Sequence, residues 1–247
     1  MSNYWAEREA KHIEEMLKRH VNYEQEIHRR YLQLWKTIEA EIQQFYVAYA
    51  GKEKINIDEA KRCASKHDVQ IFAEKAKRYV QTRDFSKEAN EQLRLYNLTM
   101  KVNRLELLKS KIGLYLTDNT NQLQIYFTAM LTEESVAEFV RQAGILGESV
   151  LSEETYRLFA KAIIDGSFHN ATFSQRLWVN QDVLKASIDR LLTVGLSAGK
   201  HPDVLARELR KLVVIDSLRG KETADYVARR LMISCLLYTS DAADDGE

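Results

Sequence analysis

ATFSQRLWVNQDVLKASIDRLLTVGLSAGKHPDVLARELRKL, residues 171–212, decides the fold of this chain. Leu177, Trp178, Leu184, Ile188, Leu191 and Leu192 recur at helical spacing, which places them on one apolar face. Gly195 and Gly199 interrupt that pattern, and Lys200-His201-Pro202 restarts it. Pro202 is the one proline in the chain. It stands where its missing N–H costs nothing, in the first turn of a helix. Val204, Leu205, Leu209 and Leu212 then give a second helix its apolar side. The stretch predicts a helical hairpin with a glycine-marked turn.

Outward from the hairpin the chain stays poor in breakers. One proline and nine glycines among 247 residues, in a sequence rich in Leu, Glu, Lys and Arg, favour helices over sheet. The length suits one large domain or two small ones. Ile13, Met16, His20, Tyr23, Ile27, Tyr31, Leu34, Ile38, Ile42, Phe45 and Tyr49 form a stripe with a mean step of 3.6 residues. A two-stranded supercoil wants roughly 3.5. The expected element is therefore a nearly straight helix packed on neighbours, closed by Gly51. At about 1.5 Å per residue it reaches roughly 70 Å, so the body is elongated.

Further helices follow. Asn56 with Glu59 reads as a capping pair opening a short helix through Ala64. A helix is expected from Asp68 to Gln81, with Val69, Phe72, Ala73, Ala76 and Val80 inward. Ser86 reads as the cap of a second long helix that ends near Gly113 and Leu116, with a break at Asp118-Asn119. Gln122 to Leu131 fits either helix or extended chain. Thr132-Glu133-Glu134 and Ser152-Glu153-Glu154 each place a hydroxyl cap before two carboxylates, which suit the positive end of a helix dipole. Asp165 to Asn170 is the clearest irregular loop, and a soft boundary falls there. No fixed-period repeat stands out. Gly220 to Ile233 is again helical in pattern. The expected fold class is all-α: an elongated bundle of long amphipathic helices with a C-terminal hairpin.

Composition narrows the function classes. Lys and Arg total 36, as do Asp and Glu, so the formal net charge is zero. A dedicated nucleic-acid binder usually carries a basic excess. No run of about 18 apolar residues exists to span a membrane, and the polar N-terminus does not read as a signal peptide. Cys63 and Cys235 give no disulfide framework.

The hairpin also carries a resemblance. Thr172-Phe173-Ser174-Gln175-Arg176-Leu177-Trp178, then Gly195-Leu196, Gly199, Pro202 and Leu205-Ala206-Arg207, is similar to the phage head-morphogenesis proteins, minor capsid proteins related to the F protein of phage Mu. Asn3-Tyr4-Trp5 resembles the start of members from phages of Gram-positive hosts. The likeness runs from about residue 3 to 233 and is strongest between Phe173 and Arg210. It implies a low-copy, non-enzymatic head component, present in host cytoplasm during assembly and then in the virion head. Portal protein and other capsid proteins would be its partners, with self-association and unspecific contact to packaged DNA as further possibilities. No cofactor or metal is implied. The motif residues Phe173, Ser174, Arg176, Trp178, Arg207 and Arg210 are the candidate partner-contacting positions. The resemblance divides the chain into a long-helix body, 1–165, and the start of a head-morphogenesis-like domain, 171–233.

Residues 235–247, beginning Cys235-Leu236-Leu237-Tyr238-Thr239-Ser240-Asp241, resemble a translated sequencing adapter. They are expected to be foreign to the natural protein and disordered, with the gene cut short before them. The family's Cys/His-rich end is absent from these residues. The rival readings are the front part of a toxin-like enzyme, such as an ADP-ribosyltransferase fusion, and a cytosolic helical scaffold.

Other candidate sites are weak. His12 lies three after Glu9, the spacing of di-iron bundles, but no second Glu-x-x-His accompanies it. His67, His169 and His201 read as caps or surface residues, and His28 as part of a charged face beside Arg29 and Arg30. Cys63 reads as a small core residue. No phosphate-cradling loop or nucleophile elbow occurs. Basic clusters at Arg29-Arg30, Lys75 to Arg78, Arg104 to Lys111 and Arg207 to Lys211 are interleaved with glutamates. They read as solvated helix surface, or as phosphate contacts. Trp178 reads as core or partner anchor. Arg176 is placed to bridge Asp182 or Glu208 and so fix the hairpin.

Overall fold

A computed structural model describes residues 2–50, 66–82, 86–91, 104–147, 151–167, 170–214 and 223–244. It is all-α, with no strand among the described residues. The elements are α1 (Ser2–Ala50), α2 (Lys66–Thr82), α3 (Arg104–Leu146), α4 (Glu153–Ile164), α5 (Phe173–Ser197), α6 (Pro202–Val213) and α7 (Ala224–Asp244). A short helical stretch covers residues 87–91. The expected helix at residues 56–64, and Cys63 with it, lie outside the described residues.

Helix α1 spans about 73 Å at 1.5 Å per residue. Its stripe is core from Ile27 onward: Ile27, Tyr31, Leu34, Ile38, Ile42 and Phe45 are buried. Nearer the N-terminus Ile13 is exposed, because fewer elements reach that end. Tyr46 is buried beside Phe45, and its hydroxyl donates to the Lys200 carbonyl at 2.8 Å.

Helix α3 corrects the sequence reading most. It runs unbroken through Asp118-Asn119 and through Thr132-Glu133-Glu134, where a break and a new start were expected. At Asp118-Asn119 the reason is burial on either side. Residues 112 to 117 are all buried, so this part of α3 is enclosed on every side. Leu116, Leu123 and Phe127 continue the core on both sides of the expected break. Packing of this kind overrides local propensity. Two polar side chains flanking these sites have partners. Asn121 Oδ1 accepts from the Ser86 backbone N–H at 3.0 Å. The Thr132 hydroxyl donates to the Thr128 carbonyl at 2.7 Å, so it joins the helix and caps nothing. The segment left open between helix and extended chain, residues 122–131, is helix.

Helix α1 lies antiparallel to α3. Arg19 meets Glu134 near one end, and Lys111 meets Glu41 near the other. Helix α5 also runs antiparallel to α3: Phe173 stacks on Phe127 and Trp178 bonds Gln124. Helices α6 and α7 lie along α1. Trp35 donates to the Ala206 carbonyl at 3.4 Å, and His28 Nδ1 lies 2.7 Å from Asp225 Oδ2. One apolar core runs through α1, α3, α4, α5, α6 and α7, and so crosses the turn at residues 165–172.

Local signals in the hairpin hold. Thr172 caps α5 through a reciprocal box with Gln175. Gly199 adopts φ +62°, the left-handed conformation that ends the helix. His201 caps α6, with Pro202 at its first turn. Ser152 caps α4, accepting from the Thr155 N–H. Two expectations need correction. Gly195 does not interrupt α5, which continues to Ser197. Disorder does not begin at residue 235: α7 extends to Asp244, and Leu236 is buried in the core.

Gly195 is small for a packing reason. A Cβ there would lie 2.2 Å from Leu205 Cδ2, inside the hairpin. Overpacking a closed core costs about 1–3 kcal/mol. Gly195→Ala is therefore expected to lower stability by about that amount, despite the better helix propensity of alanine. In a Leu205→Ala background it should cost much less. Urea unfolding followed by helical circular dichroism measures both, and equal costs in the two backgrounds would reject the close approach.

Candidate functional site

The sequence motif is distributed over three places. Phe173 and Arg176, one turn apart on α5, both line a cavity of about 290 Å³ between α3, α4, α5 and α7. Phe173 is half-buried and stacks on Phe127, with ring centroids 6.1 Å apart. Ser174 is half-buried in the same first turn.

Trp178 faces the other way, into the α3 contact. It is buried in a second apolar cluster with Phe72, Ala76, Ala89, Leu107 and Leu114. Its indole N–H donates to Gln124 Oε1 at 2.8 Å. That answers the open choice for Trp178: it is core.

Arg207 and Arg210 lie on α6. Arg207 is exposed and donates to the Asp203 carbonyl at 3.3 Å. The Arg210 guanidinium sits 4.8 Å above the Trp35 ring, a cation–π contact that fastens α6 to α1. Only Phe173 and Arg176 converge on one cavity. Glu208, expected as a partner of Arg176, accepts from Lys200 through both oxygens at 3.0 Å. That pair ties the turn to α6.

Sequence reasoning missed three polar clusters that join distant parts of the chain. In the first, Glu41 accepts from Lys111 at 2.7 Å and from the Tyr115 hydroxyl at 2.8 Å. Lys75 lies over the Tyr115 ring, 4.6 Å from its centroid. Burial pushes the Glu41 carboxyl up, but Lys111, Tyr115 and Lys75 outweigh it and hold it below the usual range. Burial also lowers the Lys75 ammonium. In the second, Glu134 receives both Arg19 nitrogens at 2.7 and 3.0 Å and the Tyr23 hydroxyl at 2.5 Å. In the third, Asp225 is fully buried against His28, with Arg229 3.0 Å from its other oxygen. Asn180 donates to the Ala224 carbonyl at 3.0 Å and holds the start of α7. Apart from the i,i+4 spacing of Asp225 and Arg229, these clusters have no local spacing signal, because the partners that join one element to another lie far apart in sequence.

His12 lies 3.6 Å from Glu138, and no group of three or more His, Cys, Asp or Glu that could hold a metal occurs among the described residues. Two of the four basic clusters make ion pairs with nearby glutamates. Glu26 takes both Arg29 and Arg30, and Glu106 takes Lys109. Arg207 and Lys211 are exposed on α6. No described helix is long and apolar enough to cross a membrane.

No family model, curated protein or solved structure matches this chain.

The Glu41 cluster makes a pH prediction. Its folded-state pKa is lowered, so its stabilisation is complete above the unfolded carboxylate value of about 4.3 and is lost as pH falls through the lower folded value. Glu41→Gln should cost about 2 kcal/mol at neutral pH, since the buried Tyr115 hydroxyl and the half-buried Lys111 ammonium lose a charged acceptor. The deficit should shrink on acidification below the usual carboxylate range. Chemical unfolding across pH measures it, and a deficit independent of pH would reject the assignment.

Proposed function

We propose that this chain is a non-enzymatic minor head protein of a bacteriophage. It binds the portal and neighbouring capsid proteins in host cytoplasm while the head assembles, and remains in the virion head. The observation that carries this reading is the hairpin, whose residues 172–178 and 195–207 resemble the head-morphogenesis motif. In the fold those residues make a rigid unit. Thr172 and Gln175 fix its entry, Gly195 lets α6 approach α5, and Arg210 and Lys200 fasten it to α1 through Trp35 and Tyr46. A rigid hairpin on a rod of about 73 Å suits holding parts together. Residues whose job is contact, not turnover, need preorganised surface, because ordering a loose surface on binding costs affinity.

The outer face of α5 supplies such surface. Val179 and Val183 are 60% and 62% exposed one turn apart, with Val194 two to three turns further on. Exposed apolar residues grouped on one face suit a protein partner. Arg207 and Lys211 would add phosphate contacts to packaged DNA, by charge alone and with strong salt dependence.

The test is retention of the portal protein encoded by the same genome on the purified chain. Binding at micromolar concentration is expected. Val179→Asp with Val183→Asp should weaken it at least tenfold, about 1.4 kcal/mol, with the helical circular dichroism unchanged. Absence of a complex at micromolar concentration would overturn the reading.

A further inference from the structure

The cavity that Phe173 and Arg176 share has a composition of its own. Leu131, Ile164, Phe173 and Leu231 are among its apolar walls, and Arg176 and Arg230 are its two cations. No acidic side chain lines it among the described residues. Two guanidinium groups beside an apolar chamber favour an anion, and the walls favour hydrocarbon. Arginine pairs with carboxylate through parallel hydrogen bonds. At about 30 Å³ for each water-sized unit, the 290 Å³ volume holds roughly ten heavy atoms.

We propose that this cavity binds an unbranched alkyl carboxylate of about ten carbons in all, with the head group between Arg176 and Arg230 and the chain along Leu131, Ile164 and Leu231. This site stands apart from the docking reading and does not depend on it. An alkyl carboxylate fits better than a peptide end. Apart from the two arginines, only Ser234 and Cys235 among the described residues bring polar side chains to the lining. Each peptide unit drawn in would bring an N–H and a C=O that these walls leave unpaired, whereas an alkyl chain brings neither. Burial raises the Cys235 thiol to about 11, so it lines the chamber as a small apolar group.

Isothermal titration calorimetry of the full chain with decanoate, 1-decanol and N-acetyl-leucyl-leucine tests the site. Saturable decanoate binding at micromolar to submillimolar concentration is expected, with decanol at least tenfold weaker because it lacks the charge-assisted bonds. Arg176→Gln with Arg230→Gln should bring decanoate down to the level of decanol. Val227→Phe, at a partly exposed lining position, should weaken both ligands by filling the chamber. Ala171→Phe does the same from the opposite wall and serves if Val227→Phe unfolds by circular dichroism. Three results would overturn the proposal: no saturable decanoate binding, decanol binding as tight as decanoate, or the peptide acid binding more tightly than decanoate.

Discussion

Enclosure of α3 is the constraint on which the other elements depend. Residues 112–117 are buried around the full circumference of the helix. A helix with no solvent face at its middle must be covered by several neighbours at once. Here α1 and α5 both run antiparallel to it, and α2 approaches through Phe72 and Ala76 in the cluster that holds Leu107 and Leu114. Thr117 and Thr120 sit inside this wrapping as small residues, 0% and 3% exposed. They leave room for helices to approach, which a larger side chain at either place would deny. Continuity of α3 follows from the same fact. Once both flanks of Asp118-Asn119 are in the core, ending the helix there would strand buried backbone groups without partners, at a cost that no side-chain preference repays.

Apolar burial sets which faces meet, but it is nearly indifferent to sliding along a long helix pair. The polar clusters remove that freedom. Glu134 with Arg19 and Tyr23 lies toward one end of the α1–α3 contact, and Glu41 with Lys111 and Tyr115 toward the other. A shift by one turn would leave at least two half-buried carboxylates unpaired. Breaking such a pair costs several kcal/mol even where making it gains little. Asp225, fully buried beside His28, does the same for α7. Outlying pairs such as Lys18–Glu14, both exposed and within one helix, are screened by solvent and specify nothing between elements.

What could be read from the sequence followed the range of the interaction. The α1 stripe from Ile27 to Phe45, the Ser152 cap, the Thr172–Gln175 box, the left-handed Gly199 and the placement of Pro202 depend on residues within a turn or two of each other, and all are seen. The α3 break was misread because Asp-Asn is a local signal overruled by the buried core on either side of it, and Thr-Glu-Glu because the Thr132 hydroxyl bonds back to Thr128 within a continuing helix. Gly195 was misread for a related reason: it answers Leu205 across the hairpin and not its own helix. The cavity was out of reach altogether. Its walls come from α3, α4, α5, α7 and the turn before α5, and no spacing rule joins Leu131 to Arg176 and Arg230. The run from Cys235 was read, from its resemblance to a translated adapter, as a disordered tail. Its first turn carries Leu236 into the core, because alternate faces of α7 already lie against α1 and α3.

The fate of the motif residues bears on what a short motif specifies. Thr172, Gln175, Trp178, Gly195 and Pro202 are used up by capping, core packing and close approach. Trp35 and Tyr46 on α1 complete the same unit through Arg210 and the Lys200 carbonyl. A sequence similarity resting on these positions therefore reports a way of building a rigid hairpin against a long helix. Contact with another molecule must fall to side chains the hairpin does not consume. Those are the outward valines of α5, the exposed Arg207 and Lys211 of α6, and the cavity that opens beside Phe173 and Arg176. Two proteins could share the whole motif and still differ in every one of these, so the motif constrains the shape of the scaffold more tightly than the identity of what it holds.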